Sequence, residues 1–252
     1  MNLLAIDTTT KVASVAIQKE EAITMHSISN EITHSEKLLP LIDSTLKEVK
    51  LTINDIDTYA VINGPGSFTG LRIGLATLKA FAMITQAKIF SLSSTKLLAI
   101  IGYQKALRQK LIQPNEPCFV ATIIDARNDR VYYSVEKIMM NAQEEILTLE
   151  SVLETSNDII QNSLQQIQGH YVSNDNVNLT NNMLIVGDCV EKFAHEIDTT
   201  LSTIAKFNYY PTSSDLIYAY QHLPNKEAYM HDTFTLDANY ARKSQAERLK
   251  TS

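Results

Sequence analysis

Residues 63–74 read Asn63-Gly64-Pro65-Gly66-Ser67-Phe68-Thr69-Gly70-Leu71-Arg72-Ile73-Gly74, and this stretch sets the architecture of the 252-residue chain. Four of the seven glycines in the whole sequence fall within it. The apolar run Thr58–Ile62 before it predicts a buried strand, and the residues after it, Leu71–Thr85, carry apolar side chains at helical spacing. The sequence therefore predicts a strand, a glycine-rich turn and the start of a helix.

The glycines of this turn have two interpretations. Glycine tolerates positive φ and lets other groups approach the backbone closely, and the free N–H groups at the start of a helix hold anions. The turn is then either a loop that binds phosphate or another anion, or a tight turn that lets the helix pack closely. It lacks the Gly-Lys-Ser/Thr ending of a P-loop and the G-x-G-x-x-G pattern of dinucleotide-binding proteins.

A second candidate feature, Asp7-Thr8-Thr9, directly follows the predicted strand Leu3–Ile6. Ligands of open α/β sheets gather at the carboxyl ends of strands. Asp7 would order a phosphate through a metal ion or a water molecule, with the two threonines as hydroxyl donors; alternatively, it only caps a turn. We expect both features at one edge of one sheet, where an anion- or nucleotide-binding cleft would consist of Asp7, Thr8, Thr9, Gly64, Gly66 and Gly70.

The order of the predicted elements indicates the fold class. Three strands form an antiparallel meander, and two strand–helix crossovers follow them. This order is typical of α/β proteins with a mixed sheet and packed helices, of the ribonuclease H-like and actin-like ATPase type. The predicted strands are Leu3–Ile6, Val12–Gln18, Ala22–Ser29, Thr58–Ile62 and Lys88–Leu92, and the predicted helices are Leu38–Val49, Leu71–Thr85 and Thr95–Gln109.

The start of the first helix is ambiguous in the sequence. Thr33 and Glu36 match a capping box, with Thr33 as the cap. Pro40 lies deep in the resulting helix, so a later start near Glu36 or Lys37 is the alternative.

A polar stretch with two prolines, Gln113–Pro117, predicts a domain boundary. We expect an N-terminal lobe at residues 1–112, against which the C-terminal segment packs, and a second lobe with its own mixed sheet and helices at residues 113–252. In the second lobe the sequence predicts strands at Phe119–Asp125, Val131–Lys137, Glu145–Leu149 and Met183–Val186, helices at Ser156–Gln168, Val190–Ile197 and Leu216–Leu223, a cap at Ser213-Ser214-Asp215 and a polar loop at His170–Asn182.

Composition narrows the function classes. A hydrophobic content of 44% and a charged content of 20% are ordinary for a soluble protein. A net charge of −6 disfavours general nucleic-acid binding by this chain alone. The last residues are basic, with Arg242, Lys243, Arg248 and Lys250, and a solvated terminus explains them more simply than a phosphate contact.

Location and redox state follow from similar considerations. Cys118 and Cys189 have neither metal-binding nor redox spacing, so we expect two buried free thiols in a reducing compartment. Asp7 interrupts the first apolar run, which argues against a signal peptide, and no uncharged run approaches the roughly 20 residues of a membrane span. We expect a cytoplasmic protein without membrane contact.

Motifs of catalysis are missing from the sequence. The six histidines are scattered, and His34 has no ligand partner three or four residues later. No serine lies in a Gly-x-Ser-x-Gly context. We therefore expect neither catalytic residues nor a metal site in this chain.

The predicted helix after the glycine turn has small residues on one side. Gly70, Gly74 and Leu78 recur every four residues, and Ala76 and Ala80 lie on the neighbouring face. Small residues of this kind would let an internal helix or a helix of another subunit approach closely. We expect a partner to bind there, and we expect Gly74→Leu to break that association while leaving the fold intact. The predicted interface consists of Leu38, Leu41, Ile42, Gly70, Leu71, Gly74, Leu75 and Leu78.

Several segments together resemble the bacterial TsaB (YeaZ) family. The resemblance is long and specific at 63–74 and spans nearly the whole chain in the order of the family. Its supporting segments are Leu4-Ala5-Ile6-Asp7-Thr8-Thr9, His34-Ser35-Glu36-Lys37-Leu38-Leu39-Pro40, Asp125-Ala126-Arg127 and Tyr240-Ala241-Arg242. The chain departs from the family at Ala241, where leucine is usual, and in the Asn-rich insertion at 174–182.

The resemblance implies an actin-like ATPase fold of two lobes and a role in making threonylcarbamoyladenosine beside the tRNA anticodon. Members of this family are not the transferase: they pair with the similar catalytic subunit TsaD and work with the ATPase TsaE. In TsaD two histidines bind the metal, and Ser94 and Leu98 stand at the matching positions here. The resemblance thus implies no cofactor for this chain, ATP and Mg²⁺ for the complex, tRNA contact through the complex, and a homodimer when the chain is alone.

Three functions remain open at this point. The first is a non-catalytic scaffold that activates a catalytic relative, and the second is an actin-like phosphotransferase that uses Asp7 and the glycine turn. The third, a metallopeptidase, is disfavoured by the missing histidine pair. A working ATPase of this fold needs further glycine-rich loops in its second lobe, yet residues 103–252 contain only Gly169 and Gly187. The scaffold is the favoured prediction.

Overall fold

The computed structural model describes residues 1–29, 34–173 and 183–239 and divides the chain into two compact units. The first unit comprises Met1–Ser94 and residues 211–239, and the second comprises Thr95–Tyr210. The boundary predicted from the sequence, at 112/113, assigns the third helix to the first lobe.

Eleven strands and six α-helices lie within the described residues. The strands are β1 (Asn2–Asp7), β2 (Val12–Lys19), β3 (Ala22–Ser29), β4 (Thr58–Ile62), β5 (Lys88–Leu92), β6 (Cys118–Asp125), β7 (Arg130–Met140), β8 (Ile146–Ile159), β9 (Met183–Gly187), β10 (Ala205–Asn208) and β11 (Met230–His231). The helices are α1 (His34–Glu48), α2 (Phe68–Thr85), α3 (Ser94–Arg108), α4 (Ile160–Ser173), α5 (Ala194–Thr200) and α6 (Ser213–His222).

The first unit contains a six-stranded mixed sheet in the order β11-β5-β4-β1-β2-β3. β1, β2 and β3 form the predicted antiparallel meander, while β4 lies parallel to both β1 and β5. β1 and β4 are apolar almost throughout because side chains on both of their faces are buried. One face packs on α1 and α2 through an apolar core that includes Leu4, Ile6 and Leu78.

The second unit contains a five-stranded mixed sheet in the order β10-β9-β6-β7-β8. β6 and β7 form the predicted hairpin, and β9 lies parallel to β6. Residues of α4 and α5, among them Leu164 and Ile197, pack with Ile123 and Ile185 of the sheet in a second apolar core. Two mixed sheets with packed helices confirm the predicted actin-like, ribonuclease H-like fold class.

The structure decides between the two starts considered for the first helix and moves the start of the second. α1 begins at His34 and contains Pro40 within it, so the proline does not mark a later start; the capping residue Thr33 lies outside the described residues. α2 begins at Phe68 rather than Leu71, because the Ser67 hydroxyl accepts the N–H of Gly70 and caps the helix.

Most boundary errors fall in the second half of the chain. β8 continues to Ile159, so α4 begins four residues later than predicted and takes up His170–Ser173, which we expected in a loop. Residues 174–182 of that predicted loop lie outside the described residues. α5 begins at Ala194 instead of Val190, and the cap of α6 is Thr212, whose side chain is bonded to Asp215.

Candidate functional site

Asp7 and the glycine turn lie at the same edge of the first sheet. β1 and β4 are parallel neighbours, with Ile6 paired to Val61, so the residues that follow the two strands emerge side by side. Asn63 and the glycine turn follow β4, and Asp7 ends β1. The structure therefore brings together all six residues of the predicted cleft.

The Asp7 carboxylate is buried, and its two oxygens differ in their hydrogen bonding. Its Oδ1 accepts a hydrogen bond from the Thr9 N–H at 2.8 Å and another from the Thr9 hydroxyl at 2.7 Å. Its Oδ2 has no hydrogen-bond partner among the described residues. Burial raises the pKa of Asp7 to about 7, the hydrogen bonds from Thr9 act in the opposite direction, and the negative charge of Asp215 raises it further.

Thr8 is held by the first two turns of α2. Its hydroxyl donates to the Gly70 carbonyl oxygen at 2.7 Å, inside the protein. A Cβ at Gly70 would overlap the Thr8 carbonyl oxygen, and a Cβ at Gly74 would lie 2.5 Å from the Thr8 hydroxyl oxygen. The two glycines, spaced one helical turn apart, allow α2 to lie directly on the end of β1.

The first two glycines of the turn serve the same close packing. A Cβ at Gly66 would lie 2.7 Å from Thr9, whose carbonyl oxygen accepts the N–H of Ser67 at 2.8 Å. Gly64 has φ +110°, and a Cβ there would lie 2.7 Å from the Asn239 carbonyl oxygen. Each glycine of the turn is thus required by a neighbour within this chain.

The cleft is therefore filled by its own residues. Thr8 and Thr9 are both buried, and both hydroxyls donate to groups of the chain rather than facing an open space. Of the two interpretations of the glycines, close packing within the chain accounts for all four of them. Gly66, Gly70 and Gly74 lie against Thr8 or Thr9 at the end of β1, and Gly64 lies against Asn239. Among residues 1–29, 34–173 and 183–239, no group of three or more histidine, cysteine or acidic side chains is placed to hold a metal ion.

The predicted interface residues point into the first unit. Seven of them are buried and Leu41 is partly buried, so they form the core between α1, α2 and the sheet. Gly74 faces Thr8, so a side chain at this position disturbs the fold itself. This corrects the prediction that Gly74→Leu leaves the fold intact.

The outward face of α2 contains the predicted Ala76 and Ala80, and also Met83 and Ile84, which the sequence pattern did not indicate. Met83 is 61% exposed and Ile84 is 71% exposed, and Ala76 and Ala80 are also exposed. On α1, Leu39 is 53% exposed. A helix that is apolar on both sides was the available signal, because an ordinary surface helix carries polar residues on its outer face.

By length and composition alone, α2 is long and apolar enough to cross a membrane. Within the described part of the chain it is the one helix that meets both criteria. Leu71, Leu75 and Leu78 pack in the core of the first unit. Core helices of soluble proteins meet the same criteria, so this is weak support for a membrane span.

The strand ends of the second unit carry a separate polar group. The Asp188 carboxylate accepts the N–H of Asp125 at 2.8 Å, and the Asp125 carboxylate accepts the N–H of Arg127 at 2.9 Å. Lys192 lies 3.6 Å from Asp125. Burial raises the pKa of Asp188. These contacts hold the turn after β6.

Both cysteines are free and buried, as predicted. Burial raises the pKa of the Cys118 thiol to about 12 and also raises the pKa of Cys189. Thiols of this kind are unreactive because the thiolate is the nucleophile.

Comparison with known proteins gives one family. A family model described as "TsaD: tRNA N6-adenosine threonylcarbamoyltransferase" matches residues 26–247. The chain is 28% identical to the tRNA threonylcarbamoyladenosine biosynthesis protein TsaB of Escherichia coli over 173 residues, which is 69% of this chain and 70% of that protein. It is 31% identical to TsaB of Haemophilus influenzae over 53% of each chain. The match to TsaB of Bacillus subtilis has 29% identity and spans 61% of this chain and 62% of the relative.

These sequence matches thus span between about half and 70% of the relatives' own lengths. Among solved structures, YeaZ from Pseudomonas aeruginosa superimposes with a TM-score of 0.68 at 20% identity, over 95% of this chain and 100% of that one. At this identity the similarity shows a shared fold.

Proposed function

We propose the role of this chain on the basis of its family. The chain belongs to the family whose model is described as TsaD, and within that family to the TsaB (YeaZ) proteins of tRNA threonylcarbamoyladenosine biosynthesis. In this pathway the chain is a non-catalytic scaffold. It activates a TsaD-like catalytic subunit, which transfers threonylcarbamoyl to the adenosine beside the tRNA anticodon.

The filled cleft carries this proposal. The Asp7 carboxylate and the Thr8 and Thr9 hydroxyls are buried, and the hydroxyls are bonded within the chain. A nucleotide phosphate would have to displace α2 from the end of β1, where three glycines make the contact too close for any side chain. An arrangement that stabilises the fold in this way offers no ready site for ATP.

The residues that stand where TsaD has its histidines support the same role. The Ser94 hydroxyl donates to the Pro65 carbonyl oxygen at 2.6 Å, and Leu98 is fully buried. Leucine has no donor atom for a metal ion, so a metal-binding pair is not formed by these two positions.

The outward face of α2 is the surface we assign to the catalytic subunit. Ala76 and Ala80 are small enough to let a second helix approach, and Met83 and Ile84 extend the apolar strip to the end of α2. Exposed apolar patches of this kind mark protein interfaces. The same face pairs two copies when the catalytic subunit is absent.

The proposed complex contains further components. A TsaE-like ATPase supplies nucleotide hydrolysis, so that ATP and Mg²⁺ are used by the complex and not by this chain. tRNA binds through the complex, in agreement with the net charge of −6 of this chain. The proposed location is the cytoplasm.

Reconstitution of tRNA modification from purified TsaD-like and TsaE-like subunits, tRNA, ATP and Mg²⁺ tests this role. We expect modification to require this chain and to survive Asp7→Asn, while Met83→Lys lowers the affinity for the TsaD-like subunit at least about tenfold, because a buried unpaired charge is costly. The control Leu147→Lys introduces the same charge at an exposed leucine of β8 and leaves that affinity unchanged.

One observation favours the phosphotransferase as the second candidate. Asp7 Oδ2 is buried and has no partner in the part of the chain that the structure describes, which is unusual for a carboxylate in a folded protein. If Asp7→Asn abolishes modification while the variant folds and assembles normally, the Asp7 cleft is an active site and the scaffold proposal is wrong.

A further inference from the structure

We propose that β3 pairs edge to edge, in antiparallel orientation, with β3 of a second copy of this chain, so that the two first-unit sheets become one continuous sheet. This inference does not depend on the proposed function. The surface is the open edge of the first sheet, where β3 has β2 as its one strand partner within the described residues.

β3 lacks the features by which natural proteins protect a sheet edge. Its eight residues, Ala-Ile-Thr-Met-His-Ser-Ile-Ser, include no proline, lysine, arginine or carboxylate. Its pairing with β2 runs without a bulge from Val12 opposite Ser29 to Lys19 opposite Ala22. At about 3.4 Å per residue the exposed edge is about 27 Å long. An edge that is long, regular and uncharged is a template for another strand.

The other three sheet edges of the described chain are protected. β11 is two residues long, and β10 is four residues long and carries Lys206. β8 is longer than β3, but it contains Glu150, Glu154 and Asp158, and its pairing with β7 shifts register at three places. Three of the four sheet edges are thus protected, whereas the edge of β3 is open. We therefore expect another strand to cover the edge of β3 in an assembled state.

The shape and charge of the edge favour a second copy as its occupant. A two-fold axis pairs the two edges with each other and leaves neither open, whereas a head-to-tail contact would continue into a fibre. Antiparallel pairing also brings the exposed Glu20 and Glu21 at the start of one β3 towards the exposed Lys11 beside the end of the other. Opposite charges thus lie near both ends of the joint, with Lys11 one strand away from it.

Side chains on one face of β3 would be covered by the joint. Ile23 is 42% exposed and Met25 is 41% exposed, and their two-residue spacing places them on the same face. Cross-strand pairs of apolar side chains stabilise such a joint. Since α2 packs on a face of the sheet and β3 is its edge, two copies joined at β3 leave both α2 surfaces accessible.

The mass of the full-length chain in solution, measured by light scattering, tests the inference. All samples carry Met83→Lys, which blocks pairing through α2. We expect this chain to be a dimer, and we expect Met25→Lys or Ile23→Lys to raise the dissociation constant at least about tenfold, because either substitution removes an apolar side chain from the joint and adds a positive charge from each copy. Leu147→Lys on the protected edge β8 is the matched control and leaves the dimer intact.

A monomeric Met83→Lys chain would overturn the inference, as would a dimer that persists with Met25→Lys and with Ile23→Lys. Circular dichroism establishes that each variant is folded. Hydrogen exchange of the unsubstituted chain gives a second reading: we expect the β3 amides that point away from β2 to be protected and to exchange at least about tenfold faster in Met25→Lys. Binding of the TsaD-like subunit is measured separately, and its loss in Met83→Lys but not in Met25→Lys keeps the two proposals distinguishable.

Discussion

Asp7 shows how one residue can suggest function and serve structure. At the end of β1 it occupies the position where ligands of α/β sheets gather. The structure instead bonds its Oδ1 to Thr9 and surrounds it completely with protein. Its buried carboxyl group then makes the stability of the fold depend on pH.

We predict that the free energy of unfolding falls as the pH rises from about 4 to 7. The pKa of Asp7 is about 7 in the folded chain and near its ordinary value of 3.8 in the unfolded chain, so in this window the folded state binds one more proton. The loss is on the order of 4 kcal/mol at most. Urea unfolding at pH 5 and pH 8 measures it, and we expect Asp7→Asn to flatten the dependence.

Glu136 is the control for this pH effect. Burial raises its pKa to about 7 as well, although Ser151 donates to it at 2.8 Å, so it contributes a dependence of the same sign. A Glu136→Gln chain keeps the contribution of Asp7. If the free energy of unfolding depends on pH in the same way for Asp7→Asn and for the unsubstituted chain, the burial of Asp7 does not raise its pKa.

The glycines give a second prediction at the residue scale. Gly70→Ala places a methyl group onto the Thr8 carbonyl oxygen, and we expect it to lower the free energy of unfolding by about 2–3 kcal/mol. Gly169→Ala is the matched control: it also lies within a helix, but a Cβ there meets nothing within 4 Å. It is expected to stabilise by about 0.5–1 kcal/mol. Equal effects of the two substitutions in thermal unfolding would refute the packing role of Gly70.

Among the elements, α2 is where the sequence was hardest to interpret. Leu71, Leu75 and Leu78 gave the correct core face, and the sequence correctly predicted that the face contacts something closely. It did not show that the contact is with β1 of the same chain, since spacing alone cannot tell an internal neighbour from a partner. Met83 and Ile84, on the opposite side, became recognisable as a surface only from their exposure.

The observed starts of several helices differ from the predicted ones. The sequence offered several hydroxyl and carboxyl groups before α6, and the cap proved to be Thr212, one residue before the predicted group. Ser213 is instead the first residue of α6, and its N–H donates to Ser14, which lies 199 residues earlier in the chain. Such long-range contacts are absent from local patterns, whereas the strands of the first unit were recognisable from their apolar runs.

The cap of α6 gives a prediction at the element scale. The Thr212 hydroxyl bonds to the Asp215 carboxylate at 2.8 Å, and the same carboxylate accepts the Thr212 N–H at 2.8 Å. We expect Thr212→Ala to lower the free energy of unfolding by about 1 kcal/mol. Ser214→Ala, two residues later, should have a smaller effect in the same urea titration. The reverse order would favour the cap that the sequence suggested.

At the scale of the whole molecule, the family assignment came from a pattern distributed along the chain. The resemblance is long and specific at 63–74, and the segments at 4–9 and 34–40 support it in the order of the family. The match over residues 26–247 confirmed the family. The tyrosine, alanine and arginine at 240–242 lie outside the described residues. The edge of β3 could not be predicted, because an open edge is a property of the folded sheet.

The central claim is that this chain acts without a nucleotide site of its own. Calorimetric titration of the purified chain with ATP and Mg²⁺, together with a phosphate-release assay, tests that claim most directly. We predict neither saturable binding nor turnover, because Thr8, Thr9 and α2 already fill the end of β1. Saturable binding with turnover that Asp7→Asn removes would contradict the account and make this chain an enzyme.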